Sequence, residues 1–192
     1  MTGPTSALLL MDFQRDIVDR LGTPEVMERA RAAADAARAT GVPVVFVRVA
    51  FRAGAPEIPD GHRQFGAAKA RAEGVDAPGV QVVAELAPRP DEPVVVKKRV
   101  GAFTGSDLAV LLSGLGAERL VLAGISTSGV VLSTVRAAAD LDFDLVVLAD
   151  ACADGDDEVH RVLTEKVFPR QAQVTTVADW AASLGWTRMG PW

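Results

Sequence analysis

LVLAGISTSGVVLST, residues 120–134, decides the fold class. A run of apolar residues ends at Ala123, bends through Gly-Ile-Ser-Thr-Ser-Gly, and resumes as a second apolar run with helical spacing. A buried strand, a sharp turn and a helix in that order make half of a βαβ unit, which needs a parallel partner strand beside it. The turn has the form of one that aims a side chain into a pocket at the sheet's end. The residue best placed to be aimed is Val130, which has neither a lone pair nor a proton to give.

The same alternation runs along the whole chain. Ala7–Met11, Val42–Val49, Pro93–Lys97, Arg119–Ala123, Asp144–Ala149 and Val174–Val177 are short apolar or β-branched runs that predict six strands. Between them, Thr23-Pro24-Glu25 supplies an N-cap, a proline at the first helical position and an acid in the first turn. The helix it opens runs through Ala39 and stops at Gly41. Further helices are predicted from Thr104 or Ser106 to Leu115, over Ser128–Leu141, over Asp156–Phe168 and over Asp179–Leu184. Residues 52–79, rich in Gly, Pro and charge, predict a lid or pocket wall with one helix around Gln64–Ala72. Continuous apolar strands alternating with helices predict an α/β three-layer sandwich: a six-stranded, mostly parallel sheet of Rossmann-like topology, covered on both faces. The 192 residues fit one domain, 1–192, with no repeat or internal boundary.

Composition narrows the function classes. With 49% hydrophobic and 23% charged residues and a net charge of −5, the chain has no basic footprint for nucleic acid or an anionic membrane surface. Its apolar runs are strand-sized and too short to span a bilayer. The N-terminal MTGPTSALLLMD lacks the basic region of a signal peptide. One cysteine excludes an intrachain disulfide, so the expected compartment is the cytoplasm. Two histidines and one cysteine, far apart in sequence, predict neither a metal site nor a cofactor requirement.

In a parallel sheet of this kind ligands bind beyond the carboxyl ends of the strands, near the switch in strand order. That rule selects Asp12 after the first strand, Lys97 at the end of the third, the 124–130 turn after the fourth and Asp150 after the fifth. A partly desolvated carboxylate beside an ammonium is what proton-transfer chemistry needs. Lysine is scarce here: of 20 basic residues only Lys69, Lys97, Lys98 and Lys166 are lysines. Strand neighbours face opposite ways, so one of Lys97 and Lys98 points into the site; spacing alone does not say which. Phe13, Phe51 and Phe65 are candidate apolar walls, and Arg52 and Arg63 are candidate carboxylate binders in the covering segment.

MDFQ after the first strand, VVVKKRVGAF after the third and LAGISTSGVVLST after the fourth together resemble the isochorismatase-like, or cysteine hydrolase, superfamily, and the resemblance covers nearly the whole chain. It implies the six-stranded α/β fold and hydrolysis of a small molecule. The family aspartate falls on Asp12, in a D-x-Q pattern with Gln14, and the family lysine on Lys97, with Lys98 facing away. The resemblance implies a non-proline cis peptide at Ile125–Ser126 and backbone amides of Gly129 and Val130 that face the pocket as an oxyanion hole. Ser126 and Thr127 are turn-forming or hydrogen-bonding residues. Arg99 matches a structural arginine, and the metal-binding element of some members has no counterpart in VRVAFR, residues 47–52. Members are commonly dimers or tetramers, which implies a homodimer or homotetramer; the 127–141 helix and a C-terminal tail carrying Trp180, Trp186 and Trp192 are the candidate contacts.

The family's nucleophilic cysteine falls on Val130, which cannot form a thioester. Cys152, in ADACAD, belongs to another motif and reads as a buried structural residue. His62 and His160 read as surface or packing histidines. The resemblance includes isochorismatases, which also lack the cysteine and hydrolyse a vinyl ether with the aspartic acid as proton donor. The expectation is therefore a small-molecule hydrolase using Asp12 and Lys97 without a covalent step. The alternative is an inactive binding or assembly protein that retains the pocket. A nucleotide-binding Rossmann module is disfavoured, because DFQRD stands where a glycine-rich phosphate cradle would be needed.

Overall fold

The computed structural model describes residues 5–186. Six strands form one sheet: β1 (Ser6–Met11), β2 (Val44–Val49), β3 (Val94–Lys97), β4 (Arg119–Ile125), β5 (Asp144–Ala153) and β6 (Gln173–Thr175). Their order is β3-β2-β1-β4-β5-β6, and every neighbouring pair is parallel. The chain winds outward from β1 in one direction and from β4 in the other, so the switch in strand order lies between β1 and β4. A crevice at their carboxyl ends follows from that topology. Among the described residues no helix is long and apolar enough to cross a membrane.

The strands alternate their side chains between two helical layers. Leu8 and Leu10 of β1 enter a core beneath α2 (Pro24–Thr40) and α7 (Val177–Ser183), together with Phe46 and Trp180. Ala7, Leu9 and Met11 enter the opposite core, with Leu108 and Leu112 of α4 (Leu108–Gly114) and Val135 of α5 (Leu132–Ala139). The buried face of α2 is built from Ala30, Ala33, Ala34 and Ala37, small side chains that let the helix lie close on the sheet. Its Thr23 hydroxyl accepts from the Val26 amide, and Gly41 closes it at φ 75°, where only glycine is free of a Cβ penalty.

Several boundaries depart from the sequence expectations, each for a local reason. A helix not anticipated, α1 (Arg15–Leu21), follows β1 directly; it buries no residue completely and has no side-chain cap, so its signal is weak. The pattern was nonetheless present in Ile17, Val18 and Leu21 at helical spacing. The predicted 128–141 helix divides into a π turn over Thr127–Val131 and α5. The 156–168 helix likewise divides into α6 (Asp157–Val162) and a π turn over Leu163–Val167. The lid helix shrinks to α3 (Gly66–Ala70). β5 runs on to Ala153 instead of stopping at Ala149, so Asp150 sits within the strand. Its carboxylate accepts from the Val177 amide at 2.8 Å and faces Arg29 at 3.6 Å, which withdraws it from the crevice. Trp180 is buried in this chain's own core and the partly buried Trp186 packs against that core; Trp192 lies outside the described residues.

Gly124 of β4 pairs with Met11 of β1. A Cβ there would lie 2.7 Å from the Met11 carbonyl oxygen and 3.3 Å from a Val130 methyl. The first contact is with backbone in the middle of the sheet, which cannot swing aside. Gly124→Ala is expected to destabilise the fold by about 1–3 kcal/mol through overpacking, read as a lower melting temperature. An unchanged melt would mean that β1 and β4 separate freely at this point.

Candidate active site

Asp12 is the first residue past β1. It takes the left-handed conformation, φ 60°, which aspartate tolerates better than most residues, and its amide donates to the Val47 carbonyl at 2.8 Å. The backbone reversal delivers the carboxyl group into the crevice instead of along the strand. Lys97 ends β3, two strands away, in register with Val49 of β2. Strands lie about 4.8 Å apart, so a side chain from β3 must cross β2 to reach β1, and the four-carbon stem of lysine provides the length. Its ammonium donates to Asp12 Oδ2 at 2.8 Å and to the Val100 carbonyl at 2.6 Å. Lys97 is 1% exposed and Asp12 6%. Lys98 points the other way and donates to the Ala50 carbonyl.

The pair is unsymmetrical. Among the described residues the buried Asp12 Oδ1 has no hydrogen-bond partner. Burial pushes the Asp12 carboxyl up to about 6, overcoming the opposing pull of the Lys97 charge and hydrogen bond. A carboxyl group poised there exists in both protonation states near neutrality, which suits it to give or take a proton.

The pair lies on a cavity of about 740 Å³. Of the residues selected from the sequence, Asp12, Lys97, Gln14, Phe51, Ser126, Gly129 and Val130 line it. Phe65, from the covering segment, also lines it and meets Phe51 edge to face at 5.5 Å between ring centres. Ile125–Ser126 is cis, and the π turn that follows carries the Val130 side chain to the cavity wall.

Other selected residues lie elsewhere. Phe13 is in the core under α2. Arg52 is exposed and paired with Glu57 at 2.6 Å. Thr127 is fully buried behind the turn, its hydroxyl hydrogen-bonded to His160 Nδ1 at 2.8 Å. His160 is therefore tied to the turn and is more than a surface histidine. Arg63 does not line the cavity either. Gln14 lines it, but both ends of its amide are spent: Nε2 donates to the Val49 and Val80 carbonyls at 2.8 and 2.9 Å, and Oε1 accepts from the Val49 amide at 2.7 Å. It fastens the covering segment to β2. The expected pair of oxyanion donors is also altered, because the Gly129 amide donates to the Ser126 carbonyl at 3.2 Å. The π turn folds that N–H back onto the turn itself.

Two arginines not singled out from the sequence line the cavity instead, Arg20 of α1 and Arg71 at the end of α3. Among the described residues neither forms an ion pair. Arg20 was hidden because α1 itself was not anticipated, and Arg71 because nothing in a Gly/Pro-rich segment distinguishes it from Arg52 and Arg63. Cys152 is buried between the sheet and α5, does not line the cavity, and has its thiol pushed up to about 12 by burial.

This architecture recurs in known proteins. An isochorismatase family protein from Burkholderia thailandensis superposes with a TM-score of 0.83 at 30% identity, over 97% of this chain and 98% of that one. The uncharacterized isochorismatase family protein YecD of Escherichia coli O157:H7 is 34% identical over 93% of this chain and 96% of its own length. The ureidoacrylate amidohydrolase RutB of Stutzerimonas stutzeri is 29% identical over 97% of this chain and 80% of its own. Residues 6–179 match the isochorismatase domain. With a match over nearly its whole length and a sheet whose switch point carries the Asp12–Lys97 contact, the chain belongs to the isochorismatase family.

Proposed function

We propose that the chain is a small-molecule hydrolase that works by proton transfer from Asp12, with Lys97 as its charge partner and no covalent enzyme intermediate. The observation that carries this reading is the buried 2.8 Å contact between the two groups on the cavity wall, with Asp12 Oδ1 left without a partner. Val130 supports a route without a nucleophile, since it stands where the resemblance puts the cysteine. Cys152, buried away from the cavity, offers no substitute. Arg20 and Arg71 favour a substrate with an anionic substituent beside an apolar body that fits against Phe51 and Phe65.

The reaction class that fits is hydrolysis of a vinyl ether. The Asp12 carboxyl gives its proton to the enol carbon, and the carbon–carbon π pair forms the new C–H bond. Water adds to the oxocarbenium ion left behind and returns a proton to the Asp12 carboxylate. The hemiacetal then collapses to a carbonyl compound and an alcohol. Lys97 keeps the carboxylate from remaining protonated too tightly and stabilises it after the proton leaves.

The test is turnover of a panel of carboxylate-bearing vinyl ethers and simple amides, run in D₂O. The expected result is hydrolysis of vinyl ethers, with one deuterium on the former enol carbon, and a rate that falls as pH rises through about 6. Hydrolysis of amides but not vinyl ethers would overturn the non-covalent reading. Binding without turnover of either would favour the alternative, a binding or assembly protein.

A further inference from the structure

The π turn that brings Ser126 and Val130 to the cavity is held from behind by one other segment of the chain. Within the turn, the Gly129 and Val131 amides both donate to the Ser126 carbonyl at 3.2 Å, so one acceptor serves two donors. That shared bond leaves the turn dependent on outside contacts. Two come from the chain just after β5, from Asp154 in the connection and His160 on α6. Asp154 Oδ2 accepts from the Ser128 amide at 2.6 Å, and His160 Nδ1 is hydrogen-bonded to the Thr127 hydroxyl at 2.8 Å. Thr127 is wholly buried and His160 is half-buried on α6. The connection is itself fixed by Asp156, whose carboxylate caps α6 through the Glu158 and Val159 amides.

The sheet explains why this segment can reach the turn. The β4–β5 register shifts between Leu122 and Gly124, so Gly124 pairs with Cys152 and Ile125 with Ala153. The extension of β5 past Asp150 thereby sets Asp154 directly beside Ser128. We infer that His160 is a positioning residue for this site: through the Thr127 hydroxyl, and together with Asp154, it sets where the Ser126–Val130 turn stands relative to Lys97 and Asp12. His160 touches neither cavity nor substrate; it acts through Thr127. The inference concerns the geometry of the turn and stands whether or not the vinyl-ether reading holds.

The test places a reporter on the turn and needs no substrate. Val130→Cys introduces a thiol on the cavity wall, and its alkylation by iodoacetamide is followed against pH. Cys152 stays silent in this assay because, unlike Val130, it does not line the cavity, and burial pushes its thiol up to about 12. Val130 is 2% exposed but lines the same cavity as Lys97, so the reagent reaches the introduced thiol through the cavity and its titration midpoint reports how near it stands to the ammonium. Adding His160→Ala should move that midpoint upward and slow alkylation about tenfold, given that misplacement by about 1 Å costs on the order of 10²-fold where geometry is demanding. His160→Asn, whose amide reaches the place of Nδ1, should restore the profile to within about twofold, because the contact is then retained. Thr127→Val, close in shape but without the hydroxyl, should reproduce the His160→Ala shift and serves if that variant does not fold. A lowered melting temperature with an unchanged alkylation profile in both variants would reduce His160 to packing and overturn the inference.

Discussion

Asp12→Asn is expected to lower turnover of a true substrate by at least about 10³-fold while the protein stays folded, the range that a positioned proton donor contributes. The loss follows from chemistry alone, since an amide cannot deliver a proton at neutral pH. The fold is expected to survive because asparagine also tolerates the left-handed backbone at φ 60° and its Oδ1 can still accept from Lys97. The check is kcat/KM beside a near-ultraviolet circular dichroism spectrum. Retained activity with an intact spectrum would remove Asp12 from the mechanism.

The same group ties stability to pH, and the sign is opposite to that of a salt-bridged surface carboxylate. Its pKa is raised on folding from 3.8 to about 6 because burial outweighs Lys97. The folded state therefore holds a proton that the unfolded chain has released across that window. The contribution of Asp12 to stability is full below 3.8 and is lost as pH rises through about 6. The catalytic acid disappears over the upper part of the same window, so rate and this part of the stability should fall together. Asp12→Asn should flatten that part of the stability profile.

Lys97→Met should cost the fold about 3–5 kcal/mol at pH 8, because a buried carboxylate loses its counter-charge and hydrogen bond while methionine replaces only the stem. Without the charge and hydrogen bond of Lys97 desolvation is opposed less, so the Asp12 carboxyl rises further and takes up a proton at higher pH. The cost should consequently be smaller at pH 5, where Asp12 is neutral in either protein. Urea unfolding at both pH values measures it. Equal losses at pH 5 and pH 8 would show that the lysine matters for packing and not for its charge. The descending limb of the pH–rate profile should also move upward in this variant if residual activity permits its measurement.

The strand–turn–helix rhythm of residues 120–134, repeated along the chain, is legible because apolar periodicity is a local property of the sequence. The same holds for α2, where Thr23, Pro24 and Gly41 punctuate a helix from both ends. Asp12 and Lys97 stood out because each follows an apolar run at a strand end, where the parallel topology gathers polar groups. The elements that escaped the sequence are those whose boundaries depend on partners. β5 continues to Ala153 because β4 pairs with it beyond the register shift, and α1 lies against the chain that follows the covering segment, where Arg15 pairs with Glu85.

Pocket membership was the least legible feature. Phe13 and Gln14 are adjacent, yet one enters the core and the other brackets the cavity, a difference set by the backbone reversal at Asp12. Arg52 and Arg71 share a segment and a charge, but Glu57 holds the first on the surface and only the second borders the cavity. By itself the sequence determined the layer order, the parallel sheet and the strand ends that could meet. Tertiary structure decided which side chains converge, because crossing β2 with a lysine stem, burying Asp12 and folding the Gly129 amide inward are outcomes of three-dimensional packing that no local run of residues encodes.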